Sequence, residues 1–300
     1  MADHSTIDHA TARVDPALAR ETWRLAEPLH GMIYFVEEGP EHYSRLGLTG
    51  RHRGYFASRA AALGPVGAEV VQATFYNFAP DLIAKYLPAV WALAAPETLL
   101  SARLAAVDAA LRRALGPAVD GPEIAEAAEL AGRAARAAGA HFEGRPLFAA
   151  HAALDWPTEP HLVLWHAQTL LREFRGDGHV AALTIEGLSG IEALVSHAAS
   201  GAVPAETLRV SRSWSPDQWA AAVIGLQQRG LLEPGDELVF TEAGRAQRQW
   251  IEDRTDALSV PAYSALGPDG CARLGELVRP LSRTIVALGM VPGRADRPAG

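Results

Sequence analysis

Apolar residues recur at three- and four-residue spacing along most of this chain, and the pattern is broken by Gly and Pro rather than by strand-like alternation. Asp15-Pro16 reads as an N-cap with proline at the first helical position, and Leu18, Trp23, Leu25 and Leu29 then continue a helix to His30. Glycines punctuate residues 41–60, and Leu63-Gly64-Pro65 breaks the chain again. The aromatic and β-branched stretch 67–78 fits either a helix or a strand, and helix is the reading adopted. Helical periodicity then runs through 80–115 with a break at Ala95-Pro96, and an Ala-rich repeat follows over 122–138. Shorter helices are predicted at 147–153 and 159–174, with Gly176-Asp177-Gly178 as an interruption and Asp177 as the cap of the next helix.

Beyond residue 179 the signals change. One helix is predicted over 179–197 and a short one over 204–210. Ser215-Pro216-Asp217 is a capped start leading to Arg229-Gly230-Leu231-Leu232. Glu237 to Phe240 reads as a short strand, Thr241 opens a long helix through Asp256, and a closing helix spans 269–288.

That order, with Leu226, Arg229-Gly230-Leu231-Leu232, an acidic turn, Leu238 and Phe240-Thr241-Glu242-Ala243-Gly244, resembles the MarR family over about residues 180–258. The resemblance implies a winged helix with a small β-hairpin wing, and a C-terminal dimerisation helix. The whole chain also resembles a group of actinobacterial proteins that join such a module to a helical half carrying stretches like those at 55–71, 75–78 and 170–183. No established activity comes with that group. The expected fold is mainly α: a flexible tail at 1–14, a helical bundle at 15–178 and a winged-helix domain at 179–300, forming a homodimer.

Composition narrows the classes. With 49% hydrophobic residues the chain can bury a sizeable core. No apolar run approaches the roughly 20 residues of a membrane span, and the first 14 residues lack a signal-like apolar region; no membrane partner and a cytoplasmic location are expected. Cys271 is the only cysteine, which excludes an internal disulfide and thiolate-rich metal sites. It reads as a buried small residue.

The net charge is −8 and Lys85 is the only lysine. The segment 215–229 offers Asp217, Gln218, Trp219, Gln227 and Gln228, with Arg229 as its one cation. Glu233, Asp236, Glu237 and Glu242 crowd the adjacent turn, where repulsion by phosphate opposes docking. Arg209, Arg212, Arg245 and Arg248 are the neighbouring cations that could reach a DNA backbone. DNA stays a candidate partner, disfavoured by that acidic turn.

The densest chemistry lies between His141 and His179. His166 and Glu173, seven apart, share a helix face, and His179 could fold back to join them. Two imidazoles and a carboxylate suit a metal ion, and a lone histidine could serve a haem. A second reading gives Arg172 and Arg175 to a ligand's carboxylate or phosphate. The alternative is that both pair with nearby carboxylates. His30, Tyr34, Tyr55, Phe56, Tyr76, Asn77, Phe78 and Trp165 would wall a pocket for a planar small molecule, although such aromatic clusters are also ordinary core. No nucleophile elbow, P-loop or dinucleotide glycine fingerprint is present.

The expected function is therefore a small-molecule-binding helical protein with a repurposed winged helix, an accessory or catalytic protein of specialised metabolism. A ligand-responsive MarR-like transcriptional regulator and a metal- or haem-dependent enzyme are the alternatives.

Overall fold

The computed structural model describes residues 13–291; the tail expected at 1–14 and the end of the chain beyond 291 lie outside that range, save Arg13 and Val14. Fourteen α-helices follow one another among the described residues: α1 Pro16–Gly31, α2 Glu38–Ser44, α3 Arg51–Ala60, α4 Ala68–Phe75, α5 Pro80–Ala84, α6 Pro96–Leu115, α7 Pro122–Ala138, α8 Pro146–Ala152, α9 Pro160–Ile185, α10 Gly190–Ala199, α11 Ala205–Ser211, α12 Pro216–Gln228, α13 Glu242–Ser264 and α14 Gly267–Ala287. Several starts follow directly from sequence. Asp15 accepts from the Leu18 amide at 2.8 Å, Ser215 and Gln218 form a capping box, and Thr241 caps α13.

Helix α9 runs through the centre, packed against α7, α13, α1 and α8. Its inner face, with α1, α6, α7, α13 and α14, builds the larger core, including Phe148, Phe174 and Tyr263. A second core gathers Tyr43, Phe56, Phe75 and Phe78 from α2–α5 and the links between them, and a third joins the end of α9 to α10, α12 and α13. Val14 is buried in the first core. Cys271 is also buried there.

Two expected boundaries move. Gly176-Asp177-Gly178 does not interrupt the chain; α9 is continuous to Ile185, so the division expected at residue 178 falls inside a helix. Asp177 does cap a helix, but that helix is α8, whose Phe148 amide donates to its carboxylate at 2.9 Å. Gly178 is there for close approach: a Cβ would stand 3.0 Å from Arg145 and 3.3 Å from Leu258 on α13. Conversely, the single helix expected over 179–197 is broken at Gly187, which has φ +65°, and Ser189 with Glu192 forms the capping box that starts α10.

The β-hairpin wing is corrected as well. Leu232 and Phe240 meet in one isolated antiparallel bridge, and no strand occurs among the described residues. Pro234 lacks an amide donor and Gly235 sits at φ +130°, so the loop between Leu232 and Phe240 is spent on the turn instead of a ladder. The apolar face of α14, expected to serve a dimer, is buried in the same chain against α1 and α7 through Cys271, Leu274, Leu277 and Val278. No single helix among the described residues is long and apolar enough to cross a membrane.

Candidate functional site

Where α1 ends against α9, the His30 imidazole is fully buried and stacks on the Trp165 indole, centroids 5.5 Å apart and planes at 25°. Tyr34 meets His30 edge-on at 5.6 Å and Tyr55 at 5.1 Å. Tyr55 in turn touches Phe56, Phe75 and Phe78 at 5.4, 6.0 and 5.5 Å. The rings form one continuous wall from the deep end at His30 to the half-buried edge at Tyr34 and Tyr55. Six residues predicted from sequence, His30, Tyr34, Tyr55, Phe56, Phe78 and Trp165, are thereby brought together.

Guanidinium groups line the same wall. The Glu173 carboxylate, almost completely buried, accepts from Arg59 at 2.8 and 3.2 Å and from Arg172 at 3.3 Å. Arg172 also donates to Glu27 at 2.9 Å and lies over the Tyr34 ring. Burial would raise the Glu173 pKa, but the fields of Arg59 and Arg172 overcome it and hold the carboxyl well below its usual range. Arg103, 2% exposed, hydrogen-bonds only the Ser58 carbonyl and the Tyr34 hydroxyl, at 3.3 and 3.0 Å. It touches no carboxylate among the described residues.

Several buried polar atoms on α1, α6, α8 and α9 are unpartnered among the described residues. Both ring nitrogens of His30, Nε of Arg103, Nε2 of His151 and His166, Nε1 of Trp165 and Nε2 of Gln168 are buried without a hydrogen-bond partner. Burial, followed by the charges of Arg172 and Arg103, pushes the His30 pKa far down, so the ring is neutral. His151 falls to about 3 for the same first reason, with Arg103 next. In folded proteins the large majority of buried side-chain polar atoms are paired. This cluster, called the chamber below, is a wall of rings in mutual contact with charged and neutral hydrogen-bonding capacity left over.

Of the other predicted residues, only Arg172 and Glu173 join this cluster. Tyr76 and Asn77 face the other module: the Tyr76 hydroxyl donates to the Leu188 carbonyl and the Asn77 carbonyl accepts from the Trp214 indole at 2.9 Å. Arg175 turns away from Arg172, pairing with Asp256 at 2.8 Å and lying over Trp23. The proposed metal trio does not converge. Glu173 is held by two arginines, His166 packs edge-on against Trp156 at 4.9 Å, and the His179 Nδ1–H donates to Thr255, whose own hydroxyl donates to Ile251. No group of three or more His, Cys, Asp or Glu able to hold a metal occurs among the described residues.

Arg59 and Arg103 were missed from sequence. Arg103 carried a readable signal: it shares the stripe of Leu99, Ala106 and Ala110, which is otherwise wholly apolar. A groove of about 700 Å³ lies apart from this chamber, between the start of α1 and α13. Its Arg20 pairs with Glu252 and Asp256, and its Arg24 with Glu21. Behind Trp165, a cavity of about 10 Å³ reaches His161 and Leu29, room for one water at most.

The second module is built around α10, α11 and α12, with the turn Arg212 to Ser215 joining the last two. A model of a helix-turn-helix family matches residues 19–292. The chain belongs to that family. No curated protein and no solved structure matches it. The match extends over the aromatic chamber as well as over α10–α12, so the helix-turn-helix protein carries both parts within one family unit. The cations around its α12 are engaged internally. Arg229 pairs with Glu192 at 3.1 Å and donates to the carbonyls of Glu186 and Gly187. Arg209 pairs with Glu206, Arg248 with Glu252, and Arg245 donates to the Phe240 carbonyl.

Proposed function

We propose that this helix-turn-helix family protein binds a small planar molecule in the chamber around His30, and that its α10–α12 module closes and positions that chamber instead of reading DNA. The observation that carries the reading is the His30 ring: fully buried, packed against the Trp165 and Tyr34 rings, and with neither nitrogen satisfied by any described residue. A structural core would gain by placing an apolar ring there, because an unmatched buried polar group costs roughly 1–3 kcal/mol. Leaving several such groups around one chamber makes sense when something else supplies their partners.

Arg103 adds to this. A guanidinium at 2% exposure without a carboxylate is expensive to hold, and its geometry suits a polar ligand reaching past Tyr34. The rings are in mutual contact, so an occupant has to part them, and the half-buried side at Tyr34, Tyr55 and Arg172 is the entrance. An accessory or catalytic role in specialised metabolism is the setting this reading implies.

Family membership favours a second reading, a ligand-responsive regulator with α12 on DNA. Against it stand the engaged cations named above and exposed Ile224, Val210 and Val239 where a phosphate-contacting surface would carry positive charge. The test is a thermal-shift screen of small aromatic compounds against the wild type and Arg103→Met. Binders should raise the melting temperature of the wild type in a concentration-dependent way, and the Arg103→Met protein should melt at a similar temperature but lose that response. Absence of any binder, or an equal response in the variant, would contradict the reading.

A further inference from the structure

Arg212 belongs to the helix-turn-helix, yet its side chain points into the helical half. It ends α11, and its backbone carbonyl accepts from the Ala79 amide at 3.0 Å, beside the Trp214 indole bond to Asn77. The guanidinium lies over the Phe78 ring, 4.9 Å from its centroid, in the wall that also contains Tyr55. One nitrogen donates to Ser211 at 2.9 Å; among the described residues Nε is buried and unpartnered, and no carboxylate contacts the group. Burial opposes its charge, as do Arg59 and Arg172, while Tyr55 acts the other way. Arg59 lies over Phe75, 4.2 Å from the centroid, and Phe75 is a neighbour of Phe78.

The chamber thus gathers four guanidinium groups, Arg59, Arg103, Arg172 and Arg212, around two carboxylates, Glu27 and Glu173. Both carboxylates are already bound to Arg59 or Arg172. Excess positive charge in a mostly buried site is unfavourable unless an anion joins it, and guanidinium forks match the geometry of carboxylate and phosphate oxygens.

We propose that the chamber's ligand carries an oxyanion, a carboxylate or phosphate attached to its ring, which is held by Arg59, Arg172 and Arg212, so that occupancy fixes the α11–α12 turn on the helical half. This rests on the chamber being the ligand site. The ring lies among Tyr34, Tyr55 and Phe78, and the oxyanion faces the arginines. Because Arg212 is supplied by the helix-turn-helix, an anion that recruits it is linked to the position of α12 by reciprocal coupling.

Benzoate, phenyl phosphate and the neutral isostere benzamide are the probes, titrated calorimetrically into the wild type and into Arg212→Gln and Arg212→Lys. At least one of the two anions should bind the wild type roughly tenfold or more tighter than benzamide, as expected for a charge-assisted hydrogen bond. Arg212→Gln should bring that ratio towards one chiefly by weakening the anion, with a smaller loss for benzamide, and Arg212→Lys should fall between. Hydrogen exchange at 212–228 should slow when the anion binds the wild type and should not respond in Arg212→Gln. Equal binding of benzoate, phenyl phosphate and benzamide by the wild type would overturn the anion inference and leave the chamber reading standing. A preference that survives in Arg212→Gln would overturn the role of Arg212. If none of the three probes binds, the chamber reading itself fails and this inference falls with it.

Discussion

The Glu173 carboxylate accepts from Arg59 Nη2 at 2.8 Å across 114 residues of sequence, joining α9 to α3 inside the molecule. Glu173 also accepts from Arg172, so one buried anion organises two of the chamber's cations. The pair is a scaffold for the site more than a source of net stability, because desolvation offsets much of its attraction. Removing one partner is a different matter, since it strands the other.

Glu173→Gln should therefore destabilise the protein by roughly 3–5 kcal/mol, the range for breaking a buried ion pair. Urea unfolding measures it directly. The surface pair Arg273–Glu126, with both side chains more than 40% exposed, provides the control: Glu126→Gln should leave the urea midpoint nearly unchanged. Equal effects of the two substitutions would show that the Glu173 pair is not structurally distinct.

Gly190→Ala should loosen the junction between the chamber half and the helix-turn-helix. A Cβ at this position would stand 2.1 Å from the Tyr76 carbonyl oxygen, and overpacking against neighbours that cannot yield costs about 1–3 kcal/mol. The expected signature is local: faster hydrogen exchange in α10–α12 with α7 unchanged. A wild-type exchange pattern in the variant would contradict the tight docking of Gly190 on Tyr76.

Acidification should destabilise the protein between pH 6.5 and about 4. Burial first, with nearby arginines adding to it, lowers His151 to about 3 and His166 to about 4. His179 also falls to about 4 through burial, with Glu252 opposing the shift. Unfolded histidines bind protons near pH 6.5 while these folded ones do not, so each removes up to roughly 1.4 kcal/mol per pH unit across that window. Asp177 works the other way. Burial raises it to about 6, so it binds a proton in the fold before it would in the unfolded chain and gains stability as pH falls. One carboxyl against four imidazoles, the deeply buried His30 included, leaves a net loss. A urea midpoint that stays flat or rises from pH 6.5 to 5 would contradict this balance.

Much of the helical layout was legible because local chemistry sets it. Asp15, Ser215 and Thr241 each cap the helix that their neighbours predict. The reading failed where a residue serves a distant element. Asp177 has the side chain of a local cap, but Phe148 from α8 takes it, and Gly178 lies within the helix where Arg145 and Leu258 of α13 leave little room for a Cβ. The Ser189–Glu192 box was present in the sequence but lay inside an apolar-periodic run that hid it. The aromatic part of the site was visible as composition. Of its arginines only Arg172 was read as a ligand residue; Arg59 reaches Glu173 only through the tertiary fold, and Arg212 looked like a surface cation beside the turn.

Duplex DNA should not be shifted below roughly 1 µM protein at 150 mM salt, the regime of non-specific binding. Arg229, Arg209 and Arg248 are committed to Glu192, Glu206 and Glu252, and Glu233, Asp236 and Glu237 stand exposed beside α12. A saturable mobility shift at nanomolar protein on a defined sequence would establish the regulator reading instead.

The central claim, a small molecule held against His30, is tested most directly by side-chain ¹⁵N NMR of the histidines while small aromatic acids are titrated in. The ring of His30 is neutral with both nitrogens unpartnered, so a bound ligand should move its Nδ1 and Nε2 resonances, and the Trp165 indole N–H with them, in step with binding. Binders that perturb only exposed groups such as His141, and leave the His30 resonances where they were, would contradict it.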